Sequence, residues 1–178
     1  MTTKNLAKAD IHTNTAKALA FGALVFAAMA VAPRPATAMD TIAREAILLD
    51  AKTGAVLFNK DADNLMPPAS MSKLMTIYLI FERLKQGSLS LEDEFVVSEN
   101  AWRKGNWASG GSTMFLEPGQ RVRVEDLIQG IIVQSGNDAC VVVAESLAGS
   151  EDAFAELMTE KGKEIGLTNS TFRNASGW

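Results

Sequence analysis

Ser70 and Lys73 lie three residues apart in the run PPASMSKLMT, and they are the residues here best suited to covalent chemistry. A serine hydroxyl is a weak nucleophile until a neighbouring base takes its proton. Lysine can be that base when burial and positive neighbours lower its pKa. Between Asp63 and Glu82, Lys73 is the only charged residue, and it is set among Leu74, Met75, Ile77, Tyr78, Leu79, Ile80, Phe81 and Leu84. A helix that is apolar on nearly all sides is a buried one, and a lysine inside it is uncommon. Spacing of three puts both side chains on one helix face. Pro68 places Ser70 at the helix start, where free N–H groups and the helix dipole favour developing negative charge. The plainer reading is a capping serine and a lysine that snorkels outward. A chain this long holds roughly one S-x-x-K by chance.

What the sequence lacks narrows the chemistry further. The 178 residues contain one Cys (Cys140) and one His (His12). No intrachain disulfide or thiolate cluster can form. His12 falls in a segment expected to be removed, so Ser-His-Asp, Cys-His and histidine-ligated zinc sites are excluded. Residues 1–38 read as a secretory signal. Lys4, Lys8 and Lys17 precede the 15-residue apolar run Ala18 to Ala32, Pro33 and Pro35 break it, and Ala36-Thr37-Ala38 supplies a cleavage pattern before Met39. An uncleaved anchor is the other reading, but the run falls short of the roughly 18–20 residues that span a membrane. Removal leaves 13 basic and 20 acidic residues with no basic run, so nucleic acid is not expected as a partner. Export with a single non-pairing cysteine suggests a bacterial periplasm. Cys140, in an apolar run, reads as a small core residue.

The second chemical signal is Ser135-Gly136-Asn137, in a break between two helical patterns. A hydroxyl and an amide there could face a cleft, or Asn137 or Asp138 could simply cap the next helix. Together the two triplets match two of three elements of penicillin-interacting serine enzymes.

The elements that must position these groups follow from local patterning. Ala46–Asp50 and Ala55–Asn59 read as a hairpin around Ala51-Lys52-Thr53-Gly54. A helix is expected over Ala69–Lys85, a mostly looped region over Ser88–Gln120, and helices over Glu125–Val133, Ala139–Leu147 and Glu151–Ile165. Ser150 would cap the last helix and Gly166 would end it. The acids of Glu151–Glu164 read as a solvated face. Trp102, Trp107 and Trp178 read as loop tryptophans at the domain edge, and the two N-x-S/T triplets near the end as chance. Thr171–Trp178 reads as a loop leading into further structure, and two strands make a poor sheet. The sequence is therefore expected to be the N-terminal part of a longer domain.

Over Ala46–Trp178 the chain resembles the low-molecular-mass penicillin-binding proteins that are D-alanyl-D-alanine carboxypeptidases. The ordered runs LLDAKTGAVLFNKDAD, PPASMSKLMT, GSTMFLEPGQ, LIQGIIVQSGNDACVVVAE and GSEDAFAELM carry that resemblance. It implies an α/β (α+β) fold of the β-lactamase/transpeptidase type, an antiparallel sheet with a helical lobe, residues 39–178 being its incomplete N-terminal part. It implies Ser70 as the acyl-forming nucleophile, Lys73 as proton acceptor, Ser135 as proton relay and Asn137 as a substrate amide binder. The oxyanion hole would include the Ser70 N–H. The implied substrate is the D-Ala-D-Ala end of peptidoglycan stem pentapeptides in the periplasm, with β-lactams as inhibitors and no metal or organic cofactor needed. A membrane association through a C-terminal segment is also suggested by the family. The family's K-T-G element is missing in order: Lys52-Thr53-Gly54 precedes the nucleophile and reads as an ordinary turn, so this stretch by itself is expected to be inactive. A serine β-lactamase, an endopeptidase that cuts crosslinks and a non-catalytic wall-binding module of the same fold stay open as alternatives.

Overall fold

The structure is a computed structural model and describes residues 39–105 and 107–178. The secretory-signal reading of residues 1–38, with His12, falls outside the described residues. The chain forms two compact units, one ending at Asn64 and one running from Leu65 to Trp178.

In the first unit, β1 (Ala46–Leu49) and β2 (Val56–Lys60) pair antiparallel, Ala46 opposite Lys60 and Leu48 opposite Phe58, with a register shift between Leu48 and Leu49. Asp50 closes the turn. Its Oδ1 accepts bonds from the N–H of Lys52 (3.0 Å), the N–H of Thr53 (2.7 Å) and the Thr53 hydroxyl (2.8 Å). These bonds, led by the Thr53 hydroxyl, hold the Asp50 carboxyl below its ordinary pKa. Gly54 takes φ +72°, a value that suits glycine. Lys52-Thr53-Gly54 is thus a hairpin turn, as its position in the sequence suggests.

The second unit is a helical lobe with a small antiparallel ribbon. Pro68 is followed by a 3-10 turn, Ala69–Ser72, and only then by α1 (Lys73–Lys85). The expected single helix from Ala69 is corrected here: Ala69 has φ +49°, which an α-helix does not allow. The expectation of a helix buried on nearly all sides is corrected too. Met75, Thr76, Ile77, Leu79 and Ile80 are buried, whereas Leu74, Tyr78 and Phe81 are exposed.

The expected loop Ser88–Gln120 contains β3 (Glu94–Val96), α2 (Glu99–Gly105) and a 3-10 turn at Trp107–Ser109. β3 pairs with β4 (Arg121–Arg123), Phe95 opposite Val122. Three-residue strands that find partners across 25 residues leave no local pattern, and a seven-residue helix is too short for a clear period. Trp102 accordingly stands on a helix rather than in a loop.

α3 (Val124–Gln134), α4 (Asn137–Ala148) and α5 (Glu151–Glu164) follow. α4 is the centre of this unit, buried from Asn137 through Ala144 and packed by α2, α3 and α5. Leu127, Ile131, Val142, Val143, Phe154 and Met158 fill the surrounding core. Ser150 Oγ accepts the Ala153 N–H at 3.1 Å and Gly166 follows the helix at φ +98°, as the capping pattern predicts. Among the described residues, no helix is long and apolar enough to cross a membrane.

Candidate active site

Ser70 sits in the 3-10 turn and Lys73 opens α1, so their shared face survives the change of helix type. Lys73 Nζ donates to Ser70 Oγ at 3.1 Å. Ser135 comes in from the end of α3, its Oγ 3.3 Å from Ser70 Oγ. Two groups, three and 65 residues along the chain from Ser70, therefore converge on its hydroxyl.

Lys73 is only 5% exposed, and no acidic side chain among the described residues forms an ion pair with it. Burial pushes its pKa down, opposed in part by the neighbouring Cys140. A buried amine without a counter-ion sheds its proton more readily than one in water, which is what a base for a serine hydroxyl requires. Cys140 itself is fully buried in the core, and its thiol is pushed up to about 12, mainly by desolvation. A protonated, enclosed thiol is a packing group and no rival nucleophile.

Ser135 ends α3 in the left-handed conformation, φ +56°. Such a backbone costs a non-glycine residue about 1–2 kcal/mol, and it turns the chain sharply between two helices. Gly136 N–H bonds to Gly130 O at 3.0 Å and closes that turn. The break is shorter than the sequence suggests, because Asn137 and Asp138 already belong to the first turn of α4 and neither caps it. Asn137 is buried and makes no hydrogen bond to Ser70, Lys73 or Ser135. Its N–H donates to Ser112 O at 2.9 Å, and its side-chain Oδ1 has no partner. A buried carbonyl oxygen left unpaired costs stability, which makes this carboxamide a candidate for binding a ligand.

Several residues that hold the site escaped sequence reasoning. Thr76, fully buried one turn beyond Ser72, donates to Ala175 O at 2.6 Å. Ala175 N–H donates to Glu151 Oε1 at 3.1 Å, and Glu151 Oε2 pairs with Lys104 Nζ at 2.5 Å. That bond raises the Lys104 pKa, and it moves Glu151 from the expected solvated face to a buried post. Thr171–Trp178 has no helix or strand, as expected, but it is tied down. Phe172 N–H reaches Thr159 Oγ1 at 2.9 Å, and Asn174 Oδ1 accepts from Ser176 N–H at 3.1 Å and Gly177 N–H at 2.6 Å. This brings Gly177, at φ +75°, against the carbonyl of Ala69, where a Cβ would collide with it and crowd Ser72 Oγ. The backbone just before Ser70 thus rests on a glycine. Asp138, weighed from the sequence only as a helix cap, bonds instead to Thr113, Met114 and Leu116. A lone acid heading the apolar run ACVVVA is the same kind of anomaly as Lys73 and could have been found the same way.

Comparison with known proteins agrees with this geometry. Residues 29–178 match the peptidase S11 model, D-alanyl-D-alanine carboxypeptidase. The chain is 46% identical over 136 residues to D-alanyl-D-alanine carboxypeptidase DacC of Escherichia coli (strain K12), covering 76% of this chain and 34% of that protein. It is 41% identical over 157 residues to D-alanyl-D-alanine carboxypeptidase DacF of Bacillus subtilis (strain 168), covering 86% and 39%. This chain therefore spans somewhat over a third of the length of these relatives. Among solved structures, penicillin binding protein 5 from Haemophilus influenzae superposes with a TM-score of 0.75 at 36% identity, over 80% of this chain and 41% of that one. D-alanyl-D-alanine carboxypeptidase DacD from Francisella tularensis gives 0.74 at 36%, over 82% and 34%. The mixed α/β architecture is that of the penicillin-binding and transpeptidase fold. With a serine, a buried lysine and a second serine meeting in that fold, the chain belongs to the peptidase S11 family of D-alanyl-D-alanine carboxypeptidases.

Proposed function

We propose that the protein is an exported serine D-Ala-D-Ala carboxypeptidase that trims the terminal D-alanine from peptidoglycan stem pentapeptides. The observation that carries this reading is the meeting of Lys73 Nζ and Ser135 Oγ on Ser70 Oγ, with the lysine buried and its pKa lowered. Neutral Lys73 accepts the Ser70 proton as Oγ attacks the carbonyl carbon between the two D-alanines. The tetrahedral adduct collapses, the C–N bond breaks, and the proton held by Lys73 passes through the Ser135 hydroxyl to the departing amine. Water then adds to the Ser70 ester, and the shortened peptide leaves with its new carboxylate. Asn137, with its unpartnered Oδ1, binds a peptide amide of the substrate. β-Lactams acylate the same hydroxyl, because their strained amide stands in for the scissile bond.

In this reading residues 1–38 are a signal peptide and residues 39–178 are the N-terminal part of the catalytic domain, acting in the periplasm. The K-T-G element and any membrane-associating segment would belong to sequence beyond Trp178.

Time-resolved intact mass of the protein from the complete reading frame, mixed with benzylpenicillin, tests the proposal. A one-to-one adduct that persists, and that is absent from Ser70→Ala, is the expected result, with release of free D-alanine from a D-Ala-D-Ala-terminated pentapeptide. Rapid clearance with turnover would replace the reading with a β-lactamase. No adduct from folded protein would leave a binding module of the same fold.

A further inference from the structure

The hydroxyl of Ser135 and the carboxamide of Asn137 stand on a two-residue turn, and what holds that turn lies outside the reacting groups. Asp138, 1% exposed, directs its carboxylate into the strap of residues 111–116. Oδ2 accepts the Thr113 hydroxyl at 2.8 Å and the Leu116 N–H at 3.1 Å, and Oδ1 accepts the Met114 N–H at 2.9 Å. Oδ1 also takes its neighbour's Ala139 N–H at 2.9 Å. Just before it, Asn137 N–H donates to Ser112 O at 2.9 Å. Two consecutive residues of the S-G-N-D turn therefore grip four of the five residues 112–116, all but Phe115.

Chemistry and packing both give this grip little slack. A carboxylate with several N–H and O–H donors is a fully satisfied buried charge, and charge-assisted bonds are the strong ones. It also stands in the first turn of α4, where the helix dipole favours an anion. Gly105 approaches so closely that a Cβ there would overlap Asp138, and a Cβ on Gly136 would come within 3.0 Å of Asp138 Oδ1. On the strap, bonds to the N–H groups of Met114 and Leu116 straddle Phe115. That residue is held at φ +60° with its ring 73% exposed, and its N–H reaches Thr113 Oγ1 at 3.0 Å. The same strap carries Gly111, whose missing Cβ leaves just enough room for Asn137 Nδ2. The substrate-facing carboxamide is thus wedged between its own turn and the strap that Asp138 clamps.

We infer that Asp138 is a positioning residue for the acyl-transfer site, fixing the Asn137 carboxamide and the Ser135 hydroxyl by clamping residues 112–116 to the S-G-N turn. The inference rests on the acyl-enzyme reading above. Asp138→Asn keeps the shape but turns an amide N–H₂ toward N–H donors wherever the side chain rotates, so at least one clamp bond is lost. Thr113→Val removes the hydroxyl that links the carboxylate to Phe115 while keeping the volume.

The experiment measures the second-order rate of benzylpenicillin acylation per folded molecule for the protein of the complete reading frame and both variants, alongside thermal midpoints. A displacement of about 1 Å in a positioning group costs on the order of 10²-fold, so Asp138→Asn should be slowed about 10- to 100-fold and Thr113→Val less. Because both lesions open one clamp, the double variant should fall well short of the product of the two effects. Lower midpoints with unchanged rates per folded molecule would make Asp138 merely structural and overturn the inference. Should Asp138→Asn fail to fold, Thr113→Val decides by the same rate. No adduct on the unsubstituted protein would overturn the acyl-enzyme reading and this one with it. An adduct there with unchanged variant rates overturns the role of Asp138 alone.

Discussion

Gly177→Ala is the sharpest perturbation of the site that touches none of its reacting groups. Gly177 has φ +75°, and a Cβ built on it would run into the Ala69 carbonyl and crowd Ser72 Oγ. Two effects are then mixed. The left-handed backbone costs an alanine about 1–2 kcal/mol, and the overlap must be relieved by movement on the order of 1 Å to restore ordinary contact distances. Gly149 and Gly166 separate them: they sit at φ +82° and +98° with nothing within 4 Å of a built Cβ. Gly149→Ala and Gly166→Ala should therefore lose about 1–2 kcal/mol of stability with no change in acylation. Gly177→Ala should lose at least as much and also slow benzylpenicillin acylation about 10- to 100-fold, because its relief displaces Ala69 and hence Ser70. The assay is intact-mass acylation under pseudo-first-order conditions, normalised to folded protein. If Gly177→Ala acylates within about twofold of the Gly149→Ala control, the carbonyl contact does not set the nucleophile and the reasoning fails.

Other consequences are quicker to state. Burial lowers the Lys73 pKa, so acylation should rise with pH along a titration whose midpoint lies below the ordinary lysine value, and Lys73→Met should be slow at every pH. A depressed folded-state pKa means the unfolded chain binds more protons between the two values. Stability therefore rises with pH across that window, a slope that Lys73→Met should remove from pH-dependent chemical denaturation. Thr76→Val keeps the volume but leaves the buried Ala175 carbonyl without its 2.6 Å donor. It should cost about 1–3 kcal/mol, read as a drop in the urea midpoint at unchanged slope.

The parts of the site legible in the sequence were those where a residue type conflicts with its surroundings. Lys73 inside an apolar stretch and Ser70 three positions before it announced themselves, and the S-G-N triplet stood out as a break between helical patterns. Local chemistry also placed the hairpin turn at Lys52-Thr53-Gly54 and the Ser150 cap. Contacts made across long separations were not legible. Thr76 reaching Ala175, Glu151 reaching both Lys104 and Ala175, and β3 meeting β4 have no periodic signature on either partner. The start of α1 misled for another reason. Helix propensity in ASMSKLMT is continuous, but the positive φ of Ala69 reflects a carbonyl fitted against Gly177, more than a hundred residues away.

The strain and the buried polar groups in the second unit belong to one design. Among its described residues, Ala69, Phe115 and Ser135 are the non-glycine positions at positive φ, and they lie beside Ser70, at the end of α3 or within the strap of residues 111–116. Strained backbones of this kind cost about 1–3 kcal/mol apiece and persist only where the surroundings over-determine them. The surroundings here are polar. Thr76 and Glu151 pin the segment that carries Gly177 to Ala69, Thr113 and Asp138 straddle Phe115, and the Gly130 carbonyl closes the turn after Ser135. Hydrogen bonds to a buried carboxylate contribute about 1.5–3 kcal/mol each, the same scale as the strain they offset. An apolar core of equal volume could stabilise the lobe, but non-directional contacts could not hold Lys73 Nζ and Ser135 Oγ at 3.1 and 3.3 Å from Ser70 Oγ. The buried polar residues that do no chemistry are therefore where the precision of the chemistry resides.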